Sequence, residues 1–115
     1  MLRKSHSRTR SRHTPHAVLF AALGDKTRLA LVARLGAGRP ASISELTSGT
    51  RLTRQAVTKH LRVLQRAGLV HSERSGRESL FALDAEPMQE MQDYLDRVSR
   101  QWGQALARLK SFVEK

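Results

Sequence analysis

The chain has 115 residues, 39% of them hydrophobic, and 21 Lys and Arg against 10 Asp and Glu for a formal net charge of +11, which suits one domain with a polyanionic partner. With one Trp, one Tyr and three Phe the core is aliphatic, which disfavours an aromatic-rich β-sandwich or barrel. The absence of cysteine excludes a disulfide scaffold, a thiolate metal site, an iron–sulfur cluster and a cysteine nucleophile.

Residues 1–15, MLRKSHSRTRSRHTP, carry five bases and no acid. Such a segment has too little apolar surface to offset the entropy of ordering, so it reads as a disordered basic tail ahead of a folded domain over 16–115. It also lacks the apolar stretch of a signal peptide, and no run in the chain approaches the ~20 apolar residues that span a bilayer. A cytoplasmic protein is expected.

A short apolar helix follows over Ala17–Leu23, closed by Gly24. Asp25 then caps a second helix that runs through Leu29, Val32 and Leu35 to Gly36. After the Gly-Ala-Gly-Arg-Pro break, Ser42-Ile43-Ser44-Glu45-Leu46 reads as a brief extended pair entering a short helix with Ser44 as its cap, ending at Gly49. Thr53 is placed to cap a longer helix from Arg54 to Ala67. Its inward residues Val57, Leu61 and Leu64 recur at spacings of four and three before Gly68 stops it.

Beyond Gly68 the pattern turns extended. Leu69–Arg74 and Glu78–Leu83 flank Ser75-Gly76-Arg77 as a small β-hairpin. From Pro87 onward Met88, Met91, Leu95, Val98, Trp102, Leu106, Leu109 and Val113 draw one apolar stripe along a helix of about 27 residues. Such a helix is too long for this domain to cover, so a second subunit is its expected cover. Residues 39–77 hold eight bases against two acids, whereas residues 78–115 hold five bases against seven acids. The middle of the chain thus faces the polyanion and the end serves another purpose.

Two helices joined by a tight turn, the second polar in its first turns and followed by a basic hairpin, are the layout of a helix-turn-helix reader of DNA. The candidate reading residues are Thr53, Arg54, Gln55, Thr58, Lys59 and Arg62. Arg and Lys donate to guanine, Gln pairs bidentately with adenine, and the Thr methyl touches thymine. On the hairpin, Arg74, Ser75 and Arg77 suit phosphates or an adjacent minor groove. A solvated helix face and a basic surface turn are the plain alternatives for either piece alone. An architectural DNA- or RNA-binding protein that uses charge without base preference is the alternative for both together. No HExxH, phosphate-cradling Gly loop or nucleophile elbow occurs, so no enzyme and no cofactor are expected.

Five segments, FAALGDKTRL (20–29), ISEL (43–46), RQAVTKHLRVL (54–64), AGLV (67–70) and RSGRE (74–78), resemble the ArsR family of dimeric winged-helix bacterial repressors over about residues 17–114. The resemblance implies a mostly α fold with a small β-hairpin, a winged helix-turn-helix dimeric through its first and last helices. It places Phe20, Met91, Leu95, Val98, Trp102, Leu106 and Leu109 at the dimer interface. A homodimer of this kind implies an inverted-repeat operator with half-sites one DNA turn, about 34 Å, apart.

Metal-sensing relatives carry a Cys-x-Cys pair where this chain has Ser42 and Ser44, and hydroxyls do not replace thiolate ligands. Others use His and carboxylates on the last helix, which here has Asp93 and Asp96 but no His. The ending Trp102-x-x-x-Leu106-x-x-Leu109-Lys110 is similar to a metal-independent branch, so no metal response is expected. The effector stays open: a small molecule, a partner protein, or none beyond protein concentration.

Overall fold

A computed structural model describes residues 14–114, so the expectation of a disordered tail over 1–15 lies almost wholly outside the described residues. The elements run α1 (His16–Leu23), α2 (Lys26–Ala37), β1 (Ala41–Ser42), α3 (Ile43–Thr47), α4 (Arg54–Arg66), β2 (Val70–Ser75), β3 (Glu78–Leu83) and α5 (Ala85–Val113). No helix among them is long and apolar enough to cross a membrane.

Local signals explain most boundaries. The Asp25 carboxylate accepts from the backbone N–H groups of Thr27 and Arg28 at 2.9 and 3.0 Å, which starts α2. At the end of α4, Leu69 N–H bonds Leu64 C=O and Gly68 N–H bonds Gln65 C=O, both at 2.9 Å. This is a Schellman closure, and it needs the left-handed backbone that Gly68 adopts at φ +86°.

Three local expectations are corrected. Ser42, not Ser44, caps α3: its Oγ accepts from Glu45 N–H at 3.1 Å while the Glu45 carboxylate accepts from Ser42 N–H at 2.9 Å. This reciprocal capping box requires Ser and Glu three residues apart, a spacing Ser44 does not have with Glu45. Leu29 points outward at 54% exposure, and the buried face of α2 is Leu31, Val32 and Leu35. Leu69 belongs to the turn, so β2 starts at Val70.

The sheet has three antiparallel strands in the order β1-β3-β2, not a hairpin alone. Ala41 and Ser42 pair with Phe81 and Leu80, and β2 pairs with β3 from Val70 opposite Leu83 to Ser75 opposite Glu78. A strand of two residues carries no alternation to read, and its partner lies some forty residues away. Leu19, Leu46, Val57, Leu61, Leu64, Leu69 and Val70 are fully buried, so one aliphatic core joins α1, α3, α4 and the base of the hairpin. α5 begins two residues before Pro87, which sits in the first turn where no intrahelical donor is needed. α1 crosses α5, with the His16 ring stacked on Tyr94 at 4.7 Å and Phe20 tilted against it at 5.7 Å.

Candidate nucleic-acid interface

The turn between α3 and α4 is closed by its own side chains. Thr50 Oγ1 donates to Thr47 C=O at 2.7 Å and accepts from Leu52 N–H at 3.1 Å, while Gly49 takes φ +80°. Thr53 Oγ1 then accepts from Ala56 N–H at 3.0 Å, which fixes where α4 begins. Val57, Leu61 and Leu64 anchor one face of α4 in the core. Arg54, Gln55, Lys59 and Arg62 are exposed, Thr58 is half-buried, and Arg54, Gln55, Thr58 and Lys59 line one surface hollow of about 820 Å³. Thr53 is exposed as well, but its hydroxyl lone pair is engaged in the cap.

Two of these side chains are already oriented. The Arg54 guanidinium donates from Nη1 to Ser44 Oγ at 2.7 Å, and Thr58 Oγ1 donates to Arg54 C=O at 2.7 Å. Behind the helix, Arg28 donates from Nε to Ala22 C=O at 2.6 Å, and its Nη1 lies 3.3 Å from His60 Nδ1. His60 Nδ1 also lies 3.7 Å from Asp25 Oδ2. The end of α1, the cap of α2 and the middle of α4 are thereby tied together. The Arg28 backbone N–H holds the Asp25 carboxyl below its ordinary 3.8; partial desolvation opposes this, and His60 and the Thr27 N–H reinforce it.

The wing is β2 and β3 with the two-residue loop Gly76-Arg77, and Arg74, Ser75 and Arg77 are all exposed. Its base is fastened twice. Gln65 Nε2 donates to Ser72 Oγ at 3.4 Å, and His71 Nδ1 lies 2.6 Å from Oδ1 of buried Asp84. The sequence carried no sign of the Ser44–Arg54, Arg28–His60 or His71–Asp84 pairs, because each joins residues on different elements.

The apolar stripe of α5 divides into two parts. Met91 is buried within the chain at 4% exposure, and Phe20 and Val98 are half-buried. Leu95, Trp102, Leu106 and Leu109 lie open at 49%, 65%, 63% and 59% exposure, and Phe112, absent from the expected stripe, widens it. Phe20 and Leu95 also line an apolar cleft of about 760 Å³ between α1, the end of α2, β3 and α5. Among the described residues no group of three or more His, Cys, Asp or Glu is placed to hold a metal ion.

The chain is similar to known helix-turn-helix proteins. A helix-turn-helix domain model matches residues 23–73. The uncharacterized HTH-type transcriptional regulator YuzN of Bacillus subtilis (strain 168) is 37% identical over 79 residues, 64% of this chain and 86% of that protein. The HTH-type transcriptional regulator Rv2034 of Mycobacterium tuberculosis (strain ATCC 25618 / H37Rv) is 34% identical over 95 residues, 83% and 85% of the two chains. Among solved structures, an ArsR-like transcriptional regulator from Rhodococcus sp. RHA1 superposes with a TM-score of 0.67 at 35% identity, covering 84% of this chain and 91% of its own.

Proposed function

The chain belongs to the ArsR-like helix-turn-helix transcriptional regulators, and on that basis we propose that it is a homodimeric repressor that reads an inverted-repeat operator without responding to metal. The observation that carries base reading is the division of α4. Val57, Leu61 and Leu64 lock one face in the core, while Arg54, Gln55 and Lys59 stand exposed beside Thr58 around one hollow. A helix so held presents its polar face to the major groove as a rigid body, and the exposed guanidinium groups of Arg74 and Arg77 on the wing meet phosphates or the adjacent minor groove.

The open half of the α5 stripe supports the dimer. Contiguous large apolar side chains left in water mark an interaction surface, and a second copy covers it with its own equivalent stripe. A partner helix seated there also closes the cleft beside Phe20 and Leu95. Two local facts support metal independence: Ser42 is engaged in the α3 capping box, and Ser44 in the contact with Arg54.

The test is selection of genomic duplexes with footprinting at about 0.15 M salt and excess competitor, conditions that remove the nonspecific electrostatic part of binding. The expected result is a short protected inverted repeat. On the selected duplex, Arg54→Ala, Gln55→Ala or Lys59→Ala is expected to lose about 1–3 kcal/mol and relax the preferred bases, while Arg77→Ala weakens all duplexes alike and flattens the salt dependence. Equal affinity for random duplexes overturns the reading in favour of an architectural binder.

A further inference from the structure

Arg54 is the first residue of α4, and its side chain is exposed. A free arginine in that place samples many rotamers, and a base contact must then freeze them. Here the side chain is held before any DNA arrives. Its Nη1 donates to Ser44 Oγ at 2.7 Å across the turn.

The anchor itself is rigid. Ser44 lies in the first turn of α3, which the Ser42–Glu45 capping box opens and the Ser48 N–H to Ser44 C=O bond of 3.0 Å closes. Leu46, 1% exposed, pins the helix to the core. The guanidinium has five N–H donors, and the Nε–Nη2 edge takes no part in the bond to Ser44. That edge has the fork geometry that matches guanine O6 and N7, or two phosphate oxygens.

We infer that Ser44 is a specificity-determining positioning residue: it holds the Arg54 guanidinium so that one edge is presented, in a fixed direction, to a guanine in the major groove. The inference rests on the base-reading function proposed above and assigns one element of it to a residue outside the recognition helix. It also accounts for an exposed serine on a helix whose neighbouring serine is buried in a cap.

The experiment compares wild type, Ser44→Ala, Ser44→Thr, Arg54→Ala and the Ser44→Ala/Arg54→Ala pair. Each is tested against the duplex that the wild type selects from a random library and against an unselected random duplex. Ser44→Ala is expected to keep the wild-type melting temperature and the affinity for random duplex. Its affinity for the selected duplex falls about two- to tenfold, the range for immobilising one long side chain on binding. The preference for guanine at one position of each half-site weakens by the same factor.

Ser44→Thr, which keeps the hydroxyl, restores both properties, and Ser44→Ala adds no loss once Arg54 is already alanine. An equal loss on both duplexes, or a loss that persists in the Arg54→Ala background, overturns the inference in favour of a direct phosphate contact by Ser44. A second readout needs no DNA: the NMR order parameter of the Arg54 Nε–H group is high in the wild type and falls in Ser44→Ala. Unchanged order refutes the anchoring. Retained anchoring in a wild type that selects no motif refutes instead the base-reading function, and with it the role given to Ser44.

Discussion

His71 Nδ1 sits 2.6 Å from Oδ1 of Asp84, so the first strand of the wing is bound to the residue that opens the last helix. Asp84 is only 4% exposed, and its carboxylate makes no side-chain cap on α5. Its backbone N–H bonds Leu69 C=O at 2.8 Å, which brings the start of α5 against the turn that begins β2. His71→Ala removes one partner of a buried carboxylate, and the expected loss is about 1–3 kcal/mol of folding stability. Thermal melting followed by circular dichroism checks it. A melting temperature equal to that of the wild type shows that the pair contributes nothing to the wing.

The two serines of α3 are expected to respond differently to alanine. Ser42→Ala removes the Oγ that accepts from Glu45 N–H and leaves the Glu45 contact one-sided, with an expected loss of about 0.5–2 kcal/mol. Ser44→Ala leaves stability within about 0.5 kcal/mol, because its hydroxyl lies on the exposed side of the helix. Urea denaturation of the two variants separates them, and similar midpoints contradict the assignment of the cap to Ser42.

Asp25 adds a pH dependence with a definite sign. Its carboxyl is held below 3.8 in the folded chain, first by the Arg28 N–H, so the unfolded state binds its proton more tightly. The charged cap therefore contributes stability above the unfolded value, and that contribution is lost as pH falls through the lowered folded value. Asp25→Asn keeps a capping oxygen but no charge. The stability difference between wild type and this variant is expected to be constant near neutral pH and to shrink below about pH 4. A difference that grows on acidification contradicts the assignment.

For the dimer, a charge in the open part of the α5 stripe is the direct probe. Leu106 is 63% exposed in the isolated chain, so Leu106→Glu meets no core. It is expected to yield a folded monomer by light scattering with unchanged helix content, and to weaken binding to the selected duplex because two half-sites are no longer linked. A variant that remains dimeric places the interface elsewhere on the molecule.

Patterns within one element are legible from the residues alone. Val57, Leu61 and Leu64 at spacings of four and three place the inner face of α4, and the polar first turn of that helix follows as its complement. Asp25, Thr53 and Gly68 mark helix ends through chemistry with backbone groups two to four residues away. The α5 stripe announces one continuous apolar face, because a helix repeats that face every three or four residues whatever surrounds it.

Long-range pairings were decided by the folded chain. The same stripe is buried at Met91 and open at Trp102, because α1 with Phe20 packs on the start of the helix and no element among the described residues lies against its end. β1 is a strand because Phe81 and Leu80 lie beside it, not because Ala41 and Ser42 prefer extended backbone. Ser44 reaches Arg54, Arg28 reaches His60 and His71 reaches Asp84 across gaps of 10, 32 and 13 residues. A short-range pattern records what a residue does to its own backbone and its own helix face. Which side chain stands across a gap depends on how the elements pack, and that is set by the whole core at once.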